Sequence, residues 1–192
     1  MAKKIIILNG SPRKNGNTSA LTAEFKRGAE EAGNTVTEFH LSSMKIGGCL
    51  GCWHGGKDAE CPCVQKDDMA QIYPVYREAD VVVLAVKPYM METAIDDIVD
   101  VISPDAVVVS IAAGKTLEWI DQAFGMEMKL VRAMPSTPAL VGEGVTGICA
   151  NERVSAEELQ TVLAMFRGIG MVESLSEPMI DVIGAVAGST PA

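Results

Sequence analysis

Short apolar runs rich in Ile and Val recur along the chain and alternate with stretches in which apolar residues return every three or four positions. Runs of the first kind suit strands buried on both faces, and stretches of the second suit helices, so the pattern is that of βαβ units feeding a parallel sheet. It predicts strands over residues 4–8, 35–40, 80–86, 106–111, 129–132, 147–150 and 171–175, and helices over 18–32, 67–77, 91–101, 117–123, 155–167 and 177–187. In the first helix Leu21, Phe25 and Ala29 make one face, Glu24, Lys26, Glu30 and Glu31 the other, and Gly33 ends it. In the fifth, Ser155 and Glu158 form a capping box ahead of Leu159, Val162, Leu163 and Phe166. The expected architecture is a three-layer, doubly wound, mostly parallel α/β sheet of strand order 2-1-3-4-5, with extra strands following at the carboxy-terminal side.

At 192 residues, 48% hydrophobic and 21% charged, the chain supports one good-sized core, read as a single α/β domain over 1–192. A net charge of −9 argues against nucleic acid as a partner. The apolar runs are strand-length, and no signal-peptide core follows Lys3 and Lys4, so the expectation is a soluble, cytoplasmic protein without a membrane partner. Five cysteines, four of them within residues 49–63, do not make a secreted disulfide framework.

The chemistry starts at residues 9–18, Asn-Gly-Ser-Pro-Arg-Lys-Asn-Gly-Asn-Thr, between the first strand and the first helix. Ser11, Asn15, Asn17 and Thr18 offer donors, Arg13 and Lys14 bring positive charge, and the helix start adds unpaired N–H groups and the positive end of its dipole. The loop is neither the Gly-x-Gly-x-x-Gly fingerprint nor a Walker loop, so it points to a phosphomonoester rather than a dinucleotide or a triphosphate. A plain strand-to-helix turn with Thr18 as N-cap would leave Arg13 and the amides without a purpose. Cys49, Cys52, Cys61 and Cys63 could hold a [4Fe–4S] cluster or zinc, although Cys61-Pro-Cys63 is tight for two ligands of one ion, and free thiols in a surface loop is the favoured reading. Cys149 reads as core. His40 and His54 have no evident acid or nucleophile partner, and no triad or paired-carboxylate arrangement is visible.

Two resemblances follow, one on each side of the strand at 80–86. Gly-Ser-Pro-Arg-x-x-Gly-Asn-Thr at 10–18, Cys49-Leu-Gly-Cys52 and Lys66-Asp-Asp-Met69 make residues 1–84 similar to the NADPH-dependent FMN reductase and iron–sulfur flavoprotein group of the flavodoxin-like fold. That resemblance implies FMN as cofactor, its phosphate held by Ser11, Arg13, Asn15, Asn17, Thr18 and the backbone of Ser19. It also implies that iron–sulfur members carry a more compact cysteine set than this one. Ala85-Val-Lys-Pro88, Ser110-Ile-Ala-Ala-Gly114, the stretch 131–144 and the closing Gly188-Ser-Thr-Pro-Ala192 resemble the NAD(P)-binding part of pyrroline-5-carboxylate reductase, over about residues 80–192. In that family these loops line the nicotinamide end of NAD(P)H. The family's amino-terminal glycine fingerprint and its helical carboxy-terminal domain have no counterpart here.

Both families place Ala-Asp and a Val-rich strand where the flavodoxin-like and Rossmann sheets superpose, so the chain reads as a chimera joined near residues 79–87, engineered or recombined. A single natural family carrying both patterns is the alternative. The functional expectation is an FMN-binding protein, with Pro88, Tyr89, Ala113 and Gly114 as walls for the flavin ring and NAD(P)H as reductant, its catalytic residues unassigned. Residual pyrroline-5-carboxylate reductase-like NAD(P) binding and a fold chimera without catalytic activity are the rivals. FMN reductases of this kind are commonly dimers, and residues 179–186 offer an apolar face for a homodimer.

Overall fold

In a computed structural model, which describes residues 2–48, 50 and 63–188, the strands assemble into one seven-stranded sheet of order β2-β1-β3-β4-β5-β6-β7. The strands are β1 (Lys4–Asn9), β2 (Thr35–His40), β3 (Val81–Ala85), β4 (Val107–Ser110), β5 (Lys129–Pro135), β6 (Gly144–Ala150) and β7 (Gly170–Ser174). The helices are α1 (Asn17–Glu31), α2 (Met69–Glu78), α3 (Met91–Asp96), α4 (Leu117–Phe124), α5 (Ala156–Arg167) and α6 (Glu177–Ile183). The first five strands run parallel in the expected order; β6 pairs antiparallel with β5 and β7 parallel with β6.

Alternation along the strands divides the core. Ile6, Leu8, Val82, Leu84 and Val108 face α2, α3 and α4, whereas Ile5, Ile7, Val81, Val83 and Val109 face α1 and α5. Each such side chain, enclosed on a covered face, contributes about 1.5–3 kcal/mol of transfer free energy. On the second face Phe25 of α1 meets Phe166 of α5 edge to face, 5.0 Å between ring centroids. One turn on, Gly28 and Gly168 touch backbone to backbone: a Cβ on Gly28 would lie 2.8 Å from Gly168 Cα.

Several ends differ from the sequence expectation. Helix α1 begins at Asn17 with Gly16, not Thr18, as N-cap, and closes in a Schellman turn in which Asn34 N–H donates to Ala29 O (3.1 Å) and Gly33 N–H to Glu30 O (2.9 Å), with Gly33 at φ +86°. The capping box at Ser155 and Glu158 forms as expected. The helix expected over 91–101 stops at Asp96 and continues as turns, because Asp96, Asp97 and Asp100 put negative charge on a helix end that is already negative. Strands β5 and β6 run longer than predicted because their antiparallel pairing extends to Pro135 opposite Thr146. Helix α6 gives way to a π turn over Gly184–Gly188. Cys49, Cys52 and Cys61 lie outside the described residues; Cys63 is half-buried and unbridged.

Candidate functional site

In a doubly wound sheet the chain leaves β1 toward one edge for β2 and returns on the other side for β3, so the loops after β1 and β3 open a crevice at the carboxyl ends of the strands. These loops touch. Gly10 N–H donates to Ala85 O (3.3 Å), and a Cβ on Gly10 would sit 2.8 Å from Val86 Cγ1, so any larger residue at position 10 would push the Val86 side chain aside. Beyond Gly10 the loop curls around the carbonyl of Arg13, which accepts from Gly16 N–H (3.1 Å) and Ser19 Oγ (3.0 Å). Arg13 N–H donates to Ser11 Oγ (3.3 Å), and Ser42 Oγ donates to Ser11 O (2.9 Å). Gly16 brings no side chain to the N-cap, leaving the start of a four-turn helix open to the loop. Ser11 and Ser19 are buried, Thr18 half-buried, and Arg13, Lys14, Asn15 and Asn17 exposed at the rim.

Beneath the loop lies a polar network. Buried Asn9 receives Ser11 N–H on Oδ1 (3.0 Å), and its Nδ2 donates to Ser19 Oγ (3.3 Å), Thr22 Oγ1 (3.2 Å) and Glu38 Oε1 (3.0 Å). Thr22 Oγ1 donates to the same Glu38 oxygen (2.8 Å). His40, expected to have no acid partner, has Nε2 3.6 Å from Glu38 Oε1. Residues 38 and 40 share a face of β2 because side chains alternate along a strand, a relation the period of two already contains.

The other expected wall residues follow the next strands. A 3-10 turn over Pro88–Met90 leaves Pro88 half-buried and Tyr89 80% exposed, beside the Gly10–Val86 contact. Ala113 and Gly114 follow β4 and are exposed, with Gly114 at φ +72°. Lys115 Nζ lies 3.4 Å from the centroid of the Trp119 ring. A groove of about 310 Å³ opens at the opposite end of the sheet, between Thr35 and Thr37 of β2 and Pro74 and Val75 of α2, away from these loops.

Arg132 was not singled out from the sequence, although a lone charge inside the apolar run at 130–133 marks it. On β5 it is buried, and its Nη1 and Nη2 reach Glu177 Oε1 (3.4 Å) and Asp181 Oδ1 (2.5 Å) of α6. Glu177 Oε1 also accepts from Leu117 N–H (2.7 Å), tying α6 to the start of α4. Cys149 pairs with Arg132 across the strands and is buried. Burial first, then the Glu177 carboxylate, push its thiol from 9.0 up to about 11. The unfolded chain therefore ionises first: stability from this thiol is whole below pH 9 and is lost as pH rises through 11. The difference in urea midpoint between the wild type and Cys149→Ala should shrink across that interval, and a constant difference would refute the assignment.

This is a Rossmann-like α/β fold, and its likenesses are to oxidoreductases. Residues 3–92 match the family described as NADPH-dependent FMN reductase. Pyrroline-5-carboxylate reductase of Escherichia coli K12 is 44% identical over 114 residues, which is 59% of this chain and 42% of that protein. The Pseudomonas aeruginosa enzyme is 38% identical over 116 residues, 60% of this chain and 42% of its own. The chain thus spans less than half the length of these curated relatives. A share of 59% exceeds what lies outside residues 3–92, so the two likenesses overlap. Among solved structures, Plasmodium falciparum pyrroline carboxylate reductase with NADP bound has a TM-score of 0.70 at 23% identity, over 98% of this chain and 63% of that one. The Coxiella burnetii enzyme has a TM-score of 0.68 at 25% identity, over 100% and 66%. Both likenesses expected from the sequence are found, and the reductase fold extends across the FMN reductase-like part as well. Among the described residues no helix is long and apolar enough to cross a membrane, and no group of His, Cys, Asp and Glu gathers as for a metal ion.

Proposed function

We propose that the protein is an NAD(P)H-binding oxidoreductase domain of the pyrroline-5-carboxylate reductase type, its coenzyme lying across the carboxyl ends of β1, β3, β4 and β5. The observation that carries this is the 44% identity to that reductase over 114 residues, supported by a fold that aligns along the whole chain with such an enzyme. Bound NAD(P)H supplies a hydride; the chain supplies placement. The small loop at 112–114 leaves room for a flat ring, and the open start of α1, with Arg13 and Asn17 at its rim, suits a coenzyme phosphate. The two likenesses fit one domain joined near residues 79–87, with the 1–84 part supplying the phosphate loop and 85–192 the nicotinamide side.

A second reading, FMN as the resident cofactor, rests on a specific observation: the loop at 9–19 closes on itself around Arg13 O and lacks the glycine spacing that seats a pyrophosphate, which suits a single phosphate. Ser11, Asn15, Thr18 and Ser19 would then hold the phosphate with Arg13 and Asn17, and Tyr89 would cover the ring. Titration separates the readings. NADPH fluorescence should rise and blue-shift on binding under the first, and FMN fluorescence should quench under the second. In either case Arg13→Ala with Asn17→Ala should weaken binding by about 10- to 100-fold, the loss of charge-assisted bonds to phosphate. Turnover of pyrroline-5-carboxylate with NADPH would extend the first reading to the relatives' reaction. A wild type that changes neither fluorescence refutes both.

A further inference from the structure

In the NAD(P)H reading the flat ring lies against the β4–α4 loop, residues 111–116, which is fastened at its two ends. At the first, Ile111 N–H donates to Leu84 O (3.4 Å) and Ala112 N–H to Ser110 Oγ (3.2 Å). Ala113 and Gly114 then run exposed, with Gly114 at φ +72°. The second end is the start of α4, and it is held from two directions. Thr116 Oγ1 caps it by accepting from Trp119 N–H (3.1 Å), and Glu177 Oε1, 60 residues further on, accepts from Leu117 N–H (2.7 Å).

The surroundings of Glu177 keep it at that post. It is the first residue of α6, so its carboxylate lies at the positive ends of two helices, its own and α4. The oxygen that Leu117 uses is also the one that Arg132 Nη1 reaches (3.4 Å), and Arg132 is buried on β5, rooted in the sheet. The start of α1 has no such carboxylate, since Gly16 brings no side chain to it. One helix start is thus open to a ligand's phosphate, whereas the other is filled from within, and the loop before it is left to shape a surface.

Resting on that NAD(P)H reading, we propose that Glu177, anchored by Arg132, is a positioning residue for the coenzyme's ring. It fixes the start of α4 and, through it, the loop against which the nicotinamide lies. The tie acts at the ring end alone. The hydrogen bonds described for residues 9–19, at the phosphate end, run within the loop and to β2, β3, α1 and Ser42, and so bypass Glu177.

The test compares NADPH with 2′-phospho-ADP-ribose, the same molecule without its nicotinamide, by calorimetric titration of the wild type, Glu177→Ala, Glu177→Gln, Leu117→Pro and Asp181→Asn. Glu177→Ala should weaken NADPH about tenfold, the cost of ordering a residue of backbone that the tie now holds, and the ring-free probe by less than about twofold. Glu177→Gln keeps an oxygen for Leu117 N–H and should recover most of the loss. Leu117→Pro deletes the donor instead; proline suits the first position of a helix, and Thr116, at φ −76° and ψ 160°, already has the backbone that a following proline requires. It should reproduce the pattern of Glu177→Ala. Asp181→Asn takes the other acid from Arg132 but leaves Leu117 bonded, so it should lower the melting temperature without changing the ratio of the two affinities. A Glu177→Ala variant that weakens both ligands alike or neither, a Glu177→Gln variant no better than it, a Leu117→Pro variant that binds NADPH as the wild type does, or an Asp181→Asn variant that shifts the ratio as far overturns the proposal. So does a wild type that binds NADPH no better than the ring-free probe, and in each of these cases coenzyme binding still stands. A wild type that binds neither overturns the coenzyme reading, and the proposal with it.

Discussion

Valine at position 28 or 168 is expected to destabilise the protein by about 3 kcal/mol, a fall in melting temperature of about 6–12 °C for a chain of this size. Helices α1 and α5 approach so closely at this point that a Cβ on Gly28 would lie 2.8 Å from Gly168 Cα, and a Cβ on Gly168 2.6 Å from Gly28 Cα. The obstructing atoms are main chain, which no rotamer change can move aside, so one helix must slide and drag Phe25 off Phe166. Arg27 Nη2, donating to Gly168 O at 3.4 Å, would move with it. Alanine is the poorer probe, because the helix propensity it gains over glycine, about 1 kcal/mol, conceals part of the clash. Because α1 lies inside the FMN reductase-like residues 3–92 and α5 outside them, the same melt tests whether the two parts share one core. One cooperative transition that shifts as a whole is the expected result; two transitions, only one of which moves, would mean separate units.

Removing both acids that hold Arg132, as Glu177→Gln with Asp181→Asn, should cost about 2–3 kcal/mol, read as a lower urea midpoint at unchanged slope. A guanidinium does not give up its proton in a protein, so Arg132, with 2% of its side chain exposed, would stay charged and unpaired between β5 and α6. The figure lies below the roughly 3–5 kcal/mol of a fully enclosed pair because the acids are 30% and 63% exposed and water already shares their charge. Arg132→Met, which removes the charge itself, should be milder than the double change, since a well-packed apolar replacement avoids the uncompensated ion. If the methionine variant proves the weaker of the two, the arginine's packing matters more than its pairing.

The sheet was legible because its strands obey simple rules. Val81–Ala85 and Val107–Val109 are continuous apolar runs, and short, valine-rich runs of that kind suit strands covered on both sides. The loop after β1 was legible because glycine, hydroxyls and basic residues crowd where a strand hands over to a helix. Less visible was whatever depended on a partner distant in sequence. Asn9 reads as one more loop amide until β2 brings Glu38 beside it, and His40 looks solitary until the strand's alternation sets it on that same face. Arg132 meets its acids 45 and 49 residues later, on a helix whose own pattern gives no sign that β5 needs it. Strand ends escaped for a similar reason: Met134 and Pro135 look like loop until β6 pairs with them.

The contact of α1 with α5 also bears on the order in which the chain can fold while it is being made. Phe25 leaves a ribosome well before its ring partner, Phe166, which follows 141 residues later. Until then the inner side of α1, and of β1 and β3 beneath it, has no second helix over it, however completely the opposite side has been covered by α2, α3 and α4. Domains ordinarily fold as units during synthesis, and contacts between distant residues slow the process. A nascent chain here therefore carries an uncovered apolar flank until α5 has emerged, and the loop after β1, which hangs from the start of α1, gains a fixed foundation only then.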